Sequence, residues 1–365
     1  MVQPVARIRE RLSRLRAAIV EMELDALLVS DQLNCRYLSG FSGSSGMLLI
    51  TQAKALIATD FRYYEQAEAE APAFELVPLG MEREHIVQNL LERVTVHRVG
   101  FESKALTVWQ YQRLLKPHDE VEWVETNDLV ESLRAVKDAE EIAAIGKAAA
   151  IADEAFGAAM NQVKSGMTER ELAWILEREM RERKADRVAF EIIVASAGNS
   201  ARPHARPTDT PLPSGQAIII DMGAQVDGYN SDMTRTICLG EPEDTCFWQV
   251  YEAVREAQQR ALMAIRPNVP AREIDAVARN VLQELGYGDA FGHGLGHGVG
   301  LSVHEKPRLH PHSEDVLEAG MIVTVEPGVY LSGWGGVRIE DLVVIGETGI
   351  RLLTQTSREP LVPSA

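Results

Sequence analysis

Cysteine is scarce in this chain: Cys35, Cys238 and Cys246 are three in 365 residues, an odd number without a C-x-x-C spacing. That is poor material for a disulfide framework and fits a reducing compartment. Long apolar runs are missing as well. No stretch approaches the roughly 18 residues needed to cross a bilayer. The opening MVQPVARIRERLSRLRAAIVEMELD lacks the apolar core of a signal peptide, and Glu10, Glu21 and Glu23 argue against a transit peptide. The expected location is therefore cytoplasmic, with no membrane partner. Positive charge is in deficit, 37 Lys and Arg against 54 Asp and Glu for a net charge of −17, so no basic face is available for a nucleic-acid backbone. Familiar catalytic loops are absent too. The glycine-rich FGHGLGHGVGLSVHE of Phe291 to Glu305 holds no G-x-G-x-x-G register and no Gly-Lys-Ser/Thr, which excludes dinucleotide and P-loop fingerprints. LSGFSGSSGM at Leu38 to Met47 has no G-x-S-x-G and reads as a loop between strands. HEKPRLH at His304 fails as a helical H-E-x-x-H zinc site, because Arg308 stands where the second histidine belongs and Pro307 opposes a helix.

What is present is ordinary globular material, 45% hydrophobic and 25% charged, in a length that favours two domains. Apolar residues Ile8, Leu12, Leu15 and Ile19 recur with helical period from Val5 to Glu23, and Ala26 to Val29 follows as a strand. Met47 to Ile50 and Ala55 to Ala58 read as strand, turn, strand. At Lys137 the texture becomes alanine-rich, KDAEEIAAIGKAAAIADEAFGAAMNQV, and Thr168 to Glu171 supplies a capping box for a second helix. The expected organisation is an α/β domain over residues 1–131 and a second α/β (α+β) domain over 138–365.

A weak internal repeat runs through the second domain. TERELAWIL from Thr168 resembles PAREIDAVA from Pro270, and GQAIIIDMG from Gly215 matches GMIVTVEPG from Gly320 at nearly the same offset. Asp221 and Glu326 thus take equivalent places at the ends of two apolar strands. Each strand opens a hairpin. Asp227-Gly228 is a two-residue turn signal, since both positions need positive φ. With Val226 opposite Tyr229, Asp221 stands opposite Thr234 and Asp232 opposite Gly223, two carboxylates on one face roughly 7 to 8 Å apart at Cα. In the second hairpin LSGWGG supplies the turn, and a register centred on Gly333 sets Glu326 opposite Glu340. Any one acid beside a turn is ordinarily a solvated strand position. Four of them, with a glycine-flanked histidine, form a hard oxygen-rich ligand set that favours Mn²⁺, Co²⁺ or Fe²⁺ over a structural zinc. Two divalent ions would balance four carboxylates, lower the pKa of a shared water and polarise a carbonyl, which is machinery for hydrolysis.

IIIDMGAQVDGYNSDMTRT, GHGLGHGVGLSVHE, TVEPG and VRIED, in that order, resemble the metal motifs of the pita-bread metallopeptidases, the family of prolidase, aminopeptidase P and methionine aminopeptidase. YLSGFSGSSGM and TDFRYYEQA resemble the amino-terminal domain of creatinase, prolidase and aminopeptidase P. The resemblance covers nearly the whole chain and implies a pita-bread catalytic domain, a curved and mainly antiparallel sheet with covering helices and pseudo-two-fold symmetry. It implies Asp221, Asp232, His297, Glu326 and Glu340 as ligands of two divalent ions, Mn²⁺ before Co²⁺, Fe²⁺ or Zn²⁺, with Asp232 and Glu340 bridging and Glu326 shuttling a proton. His204 and His304 would contact substrate and steady the tetrahedral oxyanion. His293 falls beside the substrate pocket, Arg338 beside the ligands, and Arg308 where prolidases meet a dipeptide carboxylate. The implied activity is hydrolysis of small peptides with proline at the second position, as an Xaa-Pro dipeptidase or alternatively an Xaa-Pro aminopeptidase, in a homodimer; a more remote alternative is a non-catalytic binding protein of the same fold.

Overall fold

Ile8, Leu12, Leu15 and Ile19 all turn inward on a helix that spans Val5–Glu21, and the strand Ala26–Val29 follows it, buried at every position. The computed structural model describes residues 5–80 and 83–362. Its contacts divide the chain into two units, Met1–Arg134 and Ala135–Ala365. In the first unit Ala26–Val29 lies near the middle of a six-stranded mixed sheet. It pairs antiparallel with Met47–Thr51 and parallel with Arg98–Glu102. The segment Leu38 to Met47 differs from its expected form. Leu38 and Ser39 close a helix, Gln32–Ser39, so the serine-rich loop joins a helix to a strand. The reason is local: Asp31 caps the helix by accepting from the Asn34 N–H, and Gly40 ends it at φ +87°, which glycine adopts without steric cost.

The second unit begins with the alanine-rich helix Ala139–Met160, whose Asp138 and Glu141 form a capping box; a Thr168–Glu171 box then opens Glu169–Glu182. These two helices cover one face of a sheet in which Ala217–Met222 lies between Ile193–Ser196 and Met233–Leu239, both antiparallel to it. The same order then recurs. Helices Cys246–Ala264 and Ala271–Glu284 precede a sheet in which Ile322–Val325 lies between Gly296–Gly298 and Asp341–Ile345, again antiparallel to both. Two helices and three strands in one order, twice, give the weak sequence repeat a structural counterpart.

Both hairpins keep their expected registers. Val226 pairs with Tyr229 and Asp221 with Thr234. Asp232 and Gly223 fall in the break between those two ladders, outside any strand. In the second hairpin Val325 pairs with Asp341 and Gly328 with Arg338, so Glu326 and Glu340 face each other where one ladder gives way to the next. No helix among the described residues is long and apolar enough to cross a membrane. All three cysteines are free, Cys35 and Cys238 being buried.

Candidate active site

All four acids sit at strand ends. Asp221 is the fifth residue of Ala217–Met222, Asp232 directly precedes Met233–Leu239, Glu326 directly follows Ile322–Val325, and Glu340 directly precedes Asp341–Ile345. A ladder ending at each acid frees its side chain while the strand beside it stays fixed. Glu340 is tied across the two halves, its N–H donating to the Thr234 carbonyl at 3.0 Å and its carboxylate accepting from the Thr234 hydroxyl at 2.6 Å.

His297 lies at the centre of Gly296–Gly298, in a position that its glycines make possible. A Cβ on Gly296 would stand 2.1 Å from the Thr324 carbonyl oxygen, and one on Gly298 2.0 Å from that of Lys306. The bare backbone therefore lets this strand press between its two neighbours. Nδ1 of His297 lies 3.1 Å from the Gly298 carbonyl oxygen, which can only accept, so Nδ1 carries a proton and Nε2 is the nitrogen turned toward the acids. That Nε2 is 3.2 Å from Glu326 and 3.7 Å from Asp232. Asp232, His297 and Glu340 each place a donor atom within 4.8 Å of the others, a spacing compatible with one shared ion.

Arg338 is buried and makes four hydrogen bonds through its side chain. It donates to Asp221 Oδ2 at 2.6 Å, the Thr234 hydroxyl at 3.1 Å, the Tyr330 hydroxyl at 2.8 Å and the Pro203 carbonyl at 3.2 Å. His293 meets the same Tyr330 hydroxyl at 3.2 Å through Nε2. The His304 ring lies 4.2 Å from that of His297, and Arg308 is the strand partner of His297, so both stand at the mouth of the cluster. Pro307 lies within the strand Glu305–Leu309, which agrees with the exclusion of a helical site. His204 is exposed on the segment that Arg338 grips at Pro203. The structure thus gathers Asp221, Asp232, His297, Glu326, Glu340, Arg338 and His293 into one cluster, with His304 and Arg308 beside His297 and His204 exposed on the neighbouring segment.

The electrostatics show what this cluster needs. Burial first, then the neighbouring carboxylates, pushes Asp232 and Glu340 well above the usual carboxylate range. Asp221 is raised by burial although Arg338 pulls it down. Burial also acts to raise Glu326, but the hydrogen bond and charge of His297 outweigh it and leave that carboxyl lowered. Among the described residues no lysine or arginine pairs with Asp232, Glu326 or Glu340, and Arg338 reaches only one oxygen of Asp221. The other, Oδ1, is buried without a hydrogen-bond partner. An orphaned carboxylate oxygen beside three mutually repelling acids is costly unless cations complete it, so these residues fit divalent metal ions.

Several contributors were not apparent from sequence. Tyr330 and Thr234 couple Arg338 to His293 and Glu340. Asp275 and Arg279 hold the glycine loop from the helix behind it: Asp275 accepts from the Leu295 N–H at 3.0 Å, and Arg279 donates to the carbonyls of Phe291 and His293 at 3.0 and 2.8 Å. A signal for Asp275 existed. It occupies the apolar stripe of Ala271, Ile274, Ala278 and Leu282, where an acid is out of pattern unless it has work inside.

A buried cluster of hard oxygen donors around one imidazole defines a metal-dependent hydrolase, and comparison with known proteins gives the class a family. Residues 143–347 match metallopeptidase family M24, and residues 11–136 match the creatinase/prolidase N-terminal domain. The chain belongs to metallopeptidase family M24 and is a metal-dependent peptidase. It is 37% identical over 355 residues to an Xaa-Pro dipeptidase of Pyrococcus furiosus, covering 97% of this chain and 100% of the relative. Among solved structures it resembles an Xaa-Pro dipeptidase from Bacillus anthracis, with TM-score 0.94 and 39% identity over 98% of this chain and 99% of the other. It also resembles an X-Pro aminopeptidase from Thermotoga maritima, with TM-score 0.88 and 36% identity over 96% and 99%.

Proposed function

We propose that this chain hydrolyses Xaa-Pro dipeptides, with Asp221, Asp232, His297, Glu326 and Glu340 holding two divalent cations, Mn²⁺ before Co²⁺, Fe²⁺ or Zn²⁺. The observation that carries the metal assignment is the orphaned Oδ1 of Asp221 beside Asp232, Glu326 and Glu340, none of which pairs with a lysine or arginine among the described residues. Hard cations at such a site supply Lewis acidity toward the scissile carbonyl and a water of lowered pKa. The protein's own residues do the rest. Glu326, 3.2 Å from His297, is placed to take the proton of the attacking water and return it to the departing proline nitrogen. His304 is pushed down to about 4 by partial burial and by the charges of His297 and Arg308, so at neutral pH it meets the developing oxyanion as a neutral N–H donor. His204, exposed on the segment that Arg338 holds at Pro203, is the second substrate contact in this reading.

The leaving nitrogen belongs to the proline ring, which makes the scissile bond a tertiary amide and calls for a dedicated pocket, with His293 and Tyr330 proposed as one wall of it. Arg308, exposed at the mouth, is suited to the carboxylate that a dipeptide presents one residue beyond the bond. That favours dipeptides over longer chains. The aminopeptidase reading keeps a specific support in the likeness to the Thermotoga maritima protein. Comparing proline release from Xaa-Pro with cleavage of Xaa-Pro-Yaa decides between them, and prompt cleavage of the tripeptide defeats the dipeptidase assignment.

A further inference from the structure

Glu169 is completely buried, at the first position of the helix Glu169–Glu182, and its carboxylate has no ion-pair partner among the described residues. Both its oxygens are consumed by one segment. Oε1 accepts from the Ser196 N–H at 2.7 Å, the Ser196 hydroxyl at 2.8 Å and Asn199 Nδ2 at 3.1 Å. Oε2 accepts from Asn199 Nδ2 at 2.9 Å, the Thr208 N–H at 2.9 Å and the Thr208 hydroxyl at 2.7 Å. The two ends of the segment, Ser196 and Thr208, are thus gathered onto a single side chain, and His204 lies between them. The middle is held separately, with Pro203 on Arg338 and Ser200 accepting from the Gly336 N–H at 2.8 Å. The His204 imidazole makes no hydrogen bond of its own to a described residue, so its place is set by the backbone that carries it.

We propose that Glu169 is the positioning residue for His204, clamping both ends of the 196–208 segment so that the imidazole is held where it can contact substrate. The chemistry requires a carboxylate. Every partner is a neutral N–H or O–H donor, and only a side chain with two acceptor oxygens and no donor can receive both ends at once. Glutamine would turn an NH₂ against one end and open the clamp; aspartate would fall short of it. The inference rests on the reading of His204 as a substrate contact, and the experiment separates the two.

The full-length chain, with histidine labelled at ring nitrogen and carbon, is studied by NMR without added metal and assayed with Mn²⁺ on an Xaa-Pro dipeptide. Glu169→Gln is expected to shift or broaden the His204 ring signals while leaving those of His310 and His312 unchanged. It should also lower kcat/KM by about 10- to 100-fold, with Thr208→Val giving a smaller loss of the same kind. In a His204→Ala background, Glu169→Gln should cost less than about twofold more, because the group it positions is already gone. If Glu169→Gln fails to fold, Thr208→Val carries the same comparison. Unchanged His204 signals, or a loss that persists in full without His204, overturns the proposal. Wild-type turnover by His204→Ala alone would instead refute the substrate role of His204, while the ring signals still decide whether Glu169 positions it.

Discussion

At Asp232 and Glu340 two buried carboxylates place oxygens within 4.8 Å of each other with no lysine or arginine paired to either among the described residues, and we propose both as metal ligands. Alanine at either is expected to lower kcat by at least about 1,000-fold, because several kcal/mol of transition-state stabilisation depend on the cations they hold. Isothermal titration with Mn²⁺ should show the loss of a binding event in the same variants; retained turnover would refute their assignment. Arg308 has a narrower task. Arg308→Ala should raise KM for an Xaa-Pro dipeptide about tenfold with little change in kcat, the pattern for a contact made equally in ground and transition states. The dipeptide amide, lacking the carboxylate, should be indifferent to the substitution, and equal effects on both substrates would rule out the contact.

Elements were legible where a period or a turn residue decides them. The Asp227-Gly228 turn and the LSGWGG turn were enough to register both hairpins, because a one-residue slip would send each buried strand face to the wrong side. The short helix Gln32–Ser39 was missed although Asp31 and Gly40 mark its ends, since eight residues carry too few turns for periodicity to stand out. Buried polar residues on helices were equally hard to read, because their partners lie far off in sequence. Glu179 illustrates the energetics. Hydrogen bonds from Gln162 and then Arg183 hold its carboxyl down to about 2, against an ordinary value of 4.5. A depressed folded-state pKa stabilises above the unfolded value, so this contribution is complete above about pH 4.5 and is lost as pH falls toward 2. Glu179→Gln should therefore shrink the drop in melting temperature between pH 6 and pH 3, by a thermal scan at each; an undiminished drop would contradict it.

Asp341, directly after Glu340, is a second such device. It is fully buried and accepts from Arg235 at 2.8 Å, Gln258 at 2.7 Å, Thr354 at 2.8 Å and Arg358 at 2.6 Å. Asp341→Ala leaves Arg235 buried and uncompensated, and should cost about 3–5 kcal/mol by denaturant unfolding. A loss below 1 kcal/mol would mean that the surrounding carbonyls satisfy Arg235 alone.

For the whole molecule, the duplication explains why one site arises from two hairpins far apart in the chain. Each half delivers one acid from a strand end before its turn and one after it, and Thr234 bonded to Glu340 joins the halves at the cluster. The placement of the four acids was visible in sequence because it is built from local turns and strands. The residues that hold it, Tyr330, Asp275 and Glu169, were not, because only the folded chain brings them to the loops they grip. We propose a homodimer, for which sedimentation should give twice the 40.3 kDa of one chain; a single-chain mass would exclude it. The central claim is tested most directly by stripping the protein of metal and titrating Mn²⁺ while following proline release from an Xaa-Pro dipeptide. The account predicts no turnover in the stripped chain and full activity as the second equivalent of Mn²⁺ per chain binds. Undiminished proline release from the stripped chain, or activity indifferent to Mn²⁺, would contradict it.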